Sequence, residues 1–281
     1  MMSFQKGLSL AMSAVVGLSV GTCSAQELIV KNGAKIAFLG DSITQFGGNN
    51  PGGYVNLVIK GLEANGLKVS PIKAGISGHK SDDMLARVDR DVIEKKPDLM
   101  TLSCGVNDVW HGARGVVLDQ YKTNITAIVD KAQAAKIQVV ILTSTLIKAP
   151  DSVESVKLDA YNDFLRSLAK ERNLPLADLS ADMKAIIKEK GAKAGLTTDG
   201  VHMAINGDMM MATGVLRALG LNPSQIEKAN EAWLDIPDTC AVTAKFTLRQ
   251  YGKLSEKAGN GQSVDIYVKE QLSKLGEVSA K

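Results

Sequence analysis

Cysteine is scarce in this chain. Only Cys23, Cys104 and Cys240 occur among 281 residues, and none stands in a Cys-x-x-Cys pair, which excludes a zinc-ligand framework. Cys104 and Cys240 fall in a predicted buried strand and near the tail, so two free thiols fit at least as well as a bridge. Histidine is equally rare, with only His79, His111 and His202. Charge of one sign is missing as well. Lys and Arg total 33 against 30 Asp and Glu, a formal net charge of +3, and no basic cluster is interleaved with aromatics. Electrostatics therefore gives no case for nucleic acid or an anionic membrane as partner. A long apolar run is also absent. The most hydrophobic stretch, residues 8–20, is short of the roughly 20 residues that span a bilayer, so integral membrane association is not expected. There is no internal repeat, no long Pro/Ser linker and no low-complexity tract.

That short apolar run has a different meaning at the N terminus. Lys6 is the sole charge before residue 26, and Thr22-Cys23-Ser24-Ala25 closes the run with small residues. This is the pattern of a secretory signal peptide over residues 1–25, cleaved after Ala25 and implying a secreted or periplasmic protein. Cys23 follows Thr rather than Gly, Ala or Ser, which weakens a lipoprotein reading. The remainder suits one globular α/β domain with room for a tail.

Within it, apolar runs alternate with amphipathic stretches. Strands are predicted at 35–39, 67–73, 99–103, 138–143 and 174–179. Helices are predicted at 54–64, from a Ser81 cap through Ile93, and at 117–135, 155–172, 181–190 and 207–219. Alternation of this kind builds a parallel sheet covered on both faces, a three-layer α/β/α domain over residues 26–221. Beyond it the pattern changes. Residues 222–281 read as a helical extension packed on the core, with a helix near 225–232 and one or two more around Gly259-Asn260-Gly261.

Ligands of such sheets sit outside the carboxyl ends of the strands, where strand order reverses. Four segments converge there. Ser42, in Gly40-Asp41-Ser42, follows the first strand; Gly78 follows the second; Asn107, in Gly105-Val106-Asn107-Asp108, follows the third. Asp199-Gly200-Val201-His202 precedes the last core helix and can fold over the edge. Together they offer the parts of acyl transfer: a serine nucleophile, oxyanion donors, a general base and a carboxylate to orient it. His202 is the preferred base because Asp199, three residues earlier, can take its Nδ1 proton and fix the tautomer. Each residue also has a plainer use. Asp41 or Ser42 can cap a helical turn, Gly78 can serve a turn of positive φ, Asn107 can make an Asx-turn, and Asp199 can be a cap beside a surface histidine. Asp41, Trp110 and His111 are candidates for the substrate cleft, and His79 reads as a loop residue. The glycine-rich stretch 47–53 lacks the Gly-Lys-Ser/Thr of a phosphate loop and is expected to form a flexible rim or a simple loop. Gly17-Leu18-Ser19-Val20-Gly21 mimics a nucleophile elbow but lies inside the leader. Asn124-Ile125-Thr126 forms a glycosylation sequon in a predicted helix and carries little meaning.

With these residues in view, the chain resembles the SGNH (GDSL-type) hydrolase family over roughly residues 35–220. The resemblance implies a flavodoxin-like fold with a five-stranded, mainly parallel sheet. It implies Ser42 as nucleophile, Ser42 N–H, Gly78 N–H and the Asn107 amide as oxyanion hole, and Asp199 and His202 completing the triad, with no metal or organic cofactor. Members often carry Asn where this chain has Lys73, two residues before Gly75, and looser local hydrogen bonding is expected there. The expected substrates are small-molecule or polysaccharide esters. A small acyl group on carbohydrate is preferred, with a lysophospholipase, a short-chain esterase or thioesterase, or a catalytically silent carbohydrate-binding protein as alternatives. Oligomeric state is not legible.

Overall fold

The computed structural model describes residues 27–237, 246–259 and 262–278. The leader expected at 1–25 and Cys240 lie outside them. The chain divides into two compact units, Met1–Thr239 and Cys240–Lys281.

The first unit is built on a five-stranded parallel sheet of order β2-β1-β3-β4-β5, with β1 at Lys35–Gly40, β2 at Ser70–Gly75, β3 at Leu99–Ser103, β4 at Gln138–Leu142 and β5 at Leu176–Ala177. Every residue of β3 and nearly all of β1 and β4 is buried, as a sheet covered on both faces requires. The helices are α1 (Ser42–Asn49), α2 (Tyr54–Ala64), α3 (Ser81–Asp91), α4 (Val106–Trp110), α5 (Leu118–Ala134), α6 (Val153–Glu171), α7 (Leu179–Lys190), α8 (Ile205–Ala218) and α9 (Pro223–Leu234). In one layer α2 packs on α8 and α9, with α7 against α8; in the other α3 packs on α5 and α5 on α6. This is the three-layer α/β/α arrangement with a five-stranded parallel sheet that the sequence led us to expect.

The differences from expectation have local causes. β2 runs to Gly75 because its parallel register with β1 continues to Gly40, and Pro71 is tolerated because β2 is an edge strand. β5 shrinks to two residues paired with Ile141 and Leu142. The Asp178 side chain then accepts from Ala181 N–H and starts α7 early. Two short helices, α1 and α4, were not expected. The stretch 47–53 is no flexible rim. Gly47 and Gly48 are buried in α1, and a Cβ on Gly47 would stand 2.5 Å from Cδ1 of Tyr54. α9 belongs to the first unit. Its Trp233 is buried and donates Nε1–H to Leu57 O of α2 at 2.8 Å, so the compact unit extends past residue 221.

The second unit contains α10 (Leu248–Ala258) packed on α11 (Val264–Val278). Thr247 and Gln250 close a capping box at the start of α10.

Candidate active site

The chain passes from β1 to β2 on one side of the sheet, then crosses to β3 on the other. The strand order therefore reverses between β1 and β3, and their carboxyl ends open a crevice there. Ser42 begins α1 directly after β1. Asp41 makes this turn sharp: its carboxylate accepts Ile43 N–H at 2.9 Å as the N-cap of α1. The Ser42 N–H belongs to the first helical turn, whose donors have no acceptor within the helix. Asn107 lies in α4 after β3, nearly buried, with its amide donating to His79 O at 3.1 Å. Gly78 has φ +79° and stands in a turn closed by His79 N–H to Ile76 O at 3.3 Å. Positive φ at the third turn position is the mark of a type II turn and favours glycine. Among the described residues, its two chain neighbours aside, no heavy atom lies within 4 Å of where its Cβ would be, so the conformation, not crowding, calls for glycine.

His202 reaches this crevice from the loop before α8. Its Nε2 lies 3.0 Å from Ser42 Oγ, and its Nδ1 lies 2.7 Å from Asp199 Oδ2. A carboxylate only accepts, so Nδ1 carries the proton and Nε2 is left to accept from the serine hydroxyl. The loop is locally tied. Asp199 Oδ1 takes the N–H groups of Val201 at 2.9 Å and His202 at 2.8 Å. The hydrogen bond from His202, followed by these backbone donors, holds the Asp199 carboxyl down at about 2 although the side chain is half exposed. Asp41 behaves oppositely. Burial pushes its carboxyl up to about 6, with the Asp108 charge adding to the rise.

The structure thus brings Ser42, Gly78, Asn107, Asp199 and His202 into one cleft of ≈ 500 Å³, walled by Phe46, Trp110, His111 and Val201. Trp110 and His111 stand where the cleft was expected, and Trp110 is 43 % exposed. Asp41 does not line it. Its carboxylate is consumed beneath the Ser42 turn as the α1 cap and is only 3 % exposed. A larger concavity of ≈ 610 Å³ lies among α7, α8 and α9, but its lining offers no nucleophile beside a base.

Several supporting residues were not read from sequence. Gln45 Oε1 accepts Ser77 N–H at 2.9 Å and holds the Gly78 turn to α1. Phe46 places its ring 5.1 Å from the His202 ring. Lys148, at φ +63°, donates its N–H to Gly200 O at 2.6 Å and holds Nζ 5.3 Å from the Trp110 ring centroid. Asp108, buried, accepts Ser81 N–H at 3.0 Å and Ser81 Oγ at 2.6 Å, fixing the start of α3 to α4. Lys80, not Ser81, is the cap residue of α3. Asn124 is buried with its amide on Ser81 Oγ at 3.0 Å, which leaves no room for a glycan. Lys73 does not loosen the second segment as expected: its Nζ donates to Gly48 O and ties β2 to the carboxyl end of α1. Cys104 is buried, its thiol 3.5 Å from Asp108 Oδ2. Among the described residues no group of three or more His, Cys, Asp or Glu could hold a metal ion, and no helix is long and apolar enough to cross a membrane.

Comparison with known proteins adds a family to this geometry. Residues 38–207 match the GDSL-like Lipase/Acylhydrolase family. An acetylxylan esterase of Geobacillus stearothermophilus is 29% identical over 211 residues, which cover 68% of this chain and 96% of that protein. Esterase TesA of Pseudomonas aeruginosa is 27% identical over 191 residues, covering 67% of this chain and 90% of that one. Structures of Axe2, an acetylxylan esterase from Geobacillus stearothermophilus, superpose with TM-score 0.63 at 28% identity, over 69% of this chain and 97% of theirs. Catalytic mutants of Axe2 replace a serine, an aspartate or a histidine by alanine, the last two being three residues apart.

Proposed function

The chain belongs to the GDSL-like lipase/acylhydrolase family of ester hydrolases, and from that premise we propose that it removes small acyl groups, acetyl foremost, from carbohydrate through Ser42, His202 and Asp199. The 3.0 Å contact between Ser42 Oγ and His202 Nε2 carries this reading. Ser42 Oγ attacks the ester carbonyl carbon as its proton passes to Nε2. The carbonyl π pair moves onto oxygen, and the oxyanion is held by the N–H groups of Ser42 and Gly78 and the Asn107 amide. Collapse expels the alcohol, which takes the proton from His202 and leaves the acyl group on Ser42. Water then attacks by the same route, its proton going to His202, and the acid departs as Ser42 Oγ recovers a proton. Asp199 remains a carboxylate throughout, stabilising the imidazolium and fixing its tautomer. This order of parts matches the Ser, Asp and His replaced in the catalytic mutants of Axe2.

Carbohydrate is favoured by two observations. The acetylxylan esterases are similar over most of their length. Trp110, 43 % exposed, is among the residues that line the cleft, and an aromatic side chain there suits the apolar face of a sugar ring. The similarity to esterase TesA favours general short-chain ester hydrolysis as the second reading. Acetylated xylan and pectin, p-nitrophenyl esters of rising chain length and lysophospholipid separate the two. Activity greatest on acetylated polysaccharide supports the first; activity greatest on the short p-nitrophenyl esters, with little on the polysaccharide, replaces it with the second, and a rate that rises with chain length overturns both. Fluorophosphonate labelling followed by peptide mapping is expected to find Ser42, and Ser42→Ala is expected to reduce kcat by roughly 10⁶-fold. Hydrolysis undiminished in Ser42→Ala overturns the chemistry. Export belongs to the same proposal, and a secreted product whose sequence starts at Gln26 would support it.

A further inference from the structure

Arg87, on α3, is a buried cation that the reaction does not use. Its side chain is 4 % exposed, and a guanidinium in that position must spend its donors on fixed acceptors. Nη2 donates to Gly40 O at 2.8 Å, and Nη1 donates to Ala74 O at 2.9 Å and Asp91 Oδ2 at 3.0 Å. Nε donates to His79 Nδ1 at 3.0 Å. Gly40 ends β1 two residues before Ser42, and Ala74 lies at the end of β2 before the Gly78 turn. His79 follows Gly78, and its own carbonyl oxygen receives the Asn107 amide. One planar fork is therefore bonded to two of the three segments proposed to carry oxyanion donors and reaches the third, that of Asn107, through His79.

A purely architectural role explains only part of this set. Carbonyls at the ends of parallel strands need donors, and Asp91 balances the charge, so Gly40, Ala74 and Asp91 would suffice to keep Arg87 in the core. The bond to the His79 ring serves neither need. It fixes the residue that follows Gly78 and whose own carbonyl oxygen accepts the Asn107 amide. We propose that Arg87 acts through His79 as the positioning residue of the oxyanion site, setting the Gly78 turn and the Asn107 amide where the carbonyl oxygen develops charge; this rests on the catalytic reading above. His79 Nδ1 accepts a hydrogen bond, so the ring is neutral. Burial, with the Arg87 charge beside it, keeps its pKa below the ordinary value.

The test is a double-mutant cycle in the full chain, with p-nitrophenyl acetate as substrate and phenylboronic acid as a probe that adds to the serine hydroxyl and places an oxygen in the oxyanion site. His79→Ala is expected to lower kcat about tenfold with KM within about twofold, because a misplaced donor costs transition-state binding. Boronic acid affinity is expected to fall in parallel. In an Asn107→Ala background the same change should cost distinctly less than it does alone, as residues acting as a unit do. His79→Asn, which restores an acceptor near the Nδ1 position, should recover much of the loss. Arg87→Lys lacks the fork and should resemble His79→Ala; if circular dichroism shows it unfolded, the two His79 variants carry the test. An unchanged kcat in His79→Ala, or a loss that multiplies fully with that of Asn107→Ala, overturns the proposal. Ser42→Ala is the separating control. If it is inactive while His79→Ala is normal, only this inference falls; if it hydrolyses normally, the catalytic reading falls with it.

Discussion

Asp41 and Asp199 both stand next to the Ser42–His202 pair, one in the turn that closes β1 and the other in the loop before α8. Their surroundings are opposite. Asp41 is buried, accepts the Ile43 N–H, and has its carboxyl pushed up to about 6 by burial. Asp199 is half exposed, accepts from the His202 ring and two backbone N–H groups, and is held at about 2. The same residue type is thus made into a structural cap in one region and a permanent charge in the other. Burial costs a carboxylate its charge unless donors surround it, whereas three donors keep one ionised even at the surface. Ser42 follows a turn whose Asp41 is buried, while His202 is carried by a loop whose own Asp199 side chain holds it in shape.

The sharpest way to break this comparison is Asp199→Asn. The amide cannot fix the same tautomer, and kcat should fall by roughly 10³- to 10⁴-fold. The thermal midpoint should fall modestly, because the charge that the His202 ring and two N–H groups hold low contributes some stability at neutral pH while the half-exposed side chain buries little surface. Steady-state kinetics and a melting curve on one preparation check both halves. A large loss of stability with modest loss of turnover would assign Asp199 to architecture instead.

The pH dependence of stability comes next, and the two aspartates should pull it in opposite directions. Asp41 has a folded value of about 6 against an ordinary 3.8. Its contribution is fully present below pH 3.8 and is lost as pH rises through 6, since the unfolded chain ionises first. Asp41→Asn keeps an acceptor for Ile43 and removes the charge. The variant should therefore gain on the parent between pH 4 and 7, by at most about 3 kcal/mol. Asp208, also raised to about 6 by burial, is common to both proteins and cancels. Asp199, held low, contributes stability above pH 3.8 that is lost as pH falls toward 2. Urea melts across this range test the sign, and parallel curves for parent and Asp41→Asn would mean that Asp41 is ionised throughout.

Much of this arrangement is legible in the chain because its logic is one of residue type at strand ends. Ser42, Gly78 and Asn107 follow three apolar runs, and a parallel sheet forces such ends together. The Asp199-x-x-His202 spacing is local and needs no fold to be read. Asp41 was misplaced in the cleft because its helix was not expected, and α1 was not expected because Gly47 and Gly48 disfavour helix. The Tyr54 ring pressed against Gly47 and the Lys73 side chain beside Gly48 account for them, contacts between elements that periodicity does not express. Arg87 left a readable trace. It falls between Met84 and Val88 on the buried stripe of α3, and a cation on an apolar face signals buried acceptors. Which acceptors those are, Gly40, Ala74 and His79, follows only from the folded chain.

A smaller effect isolates the capping role of Asp41. Asp41→Ala removes the acceptor for Ile43 N–H, and loss of such a cap costs about 1 kcal/mol. Asp41→Ser should restore it without restoring the charge. At pH 7 the order of stability should be Ser above Ala, read from denaturant midpoints at unchanged slope. Equal midpoints would show that the carboxylate, not the cap, is what the turn requires.

The smallest expected effect tests where the two regions meet. Phe46 belongs to α1 with Ser42, yet its ring lies 5.1 Å from His202 and forms part of the cleft wall. Beside the Ser42–His202 hydrogen bond, it is a second side chain of α1 that touches the exposed loop. At 43 % exposure it contributes little to the core, so Phe46→Ala should leave the fold stable. Loss of the ring removes apolar wall from the cleft and packing from His202. KM for p-nitrophenyl acetate should rise a few-fold, an aromatic contact of this kind being worth about 0.5–1.5 kcal/mol. Phe46→Leu should recover the part that is apolar area and not the part that is ring-on-ring contact. A fall in kcat as large as that of Asp199→Asn would show instead that the loop cannot hold His202 in place by its own hydrogen bonds, and the contrast between the two regions would then rest on Phe46.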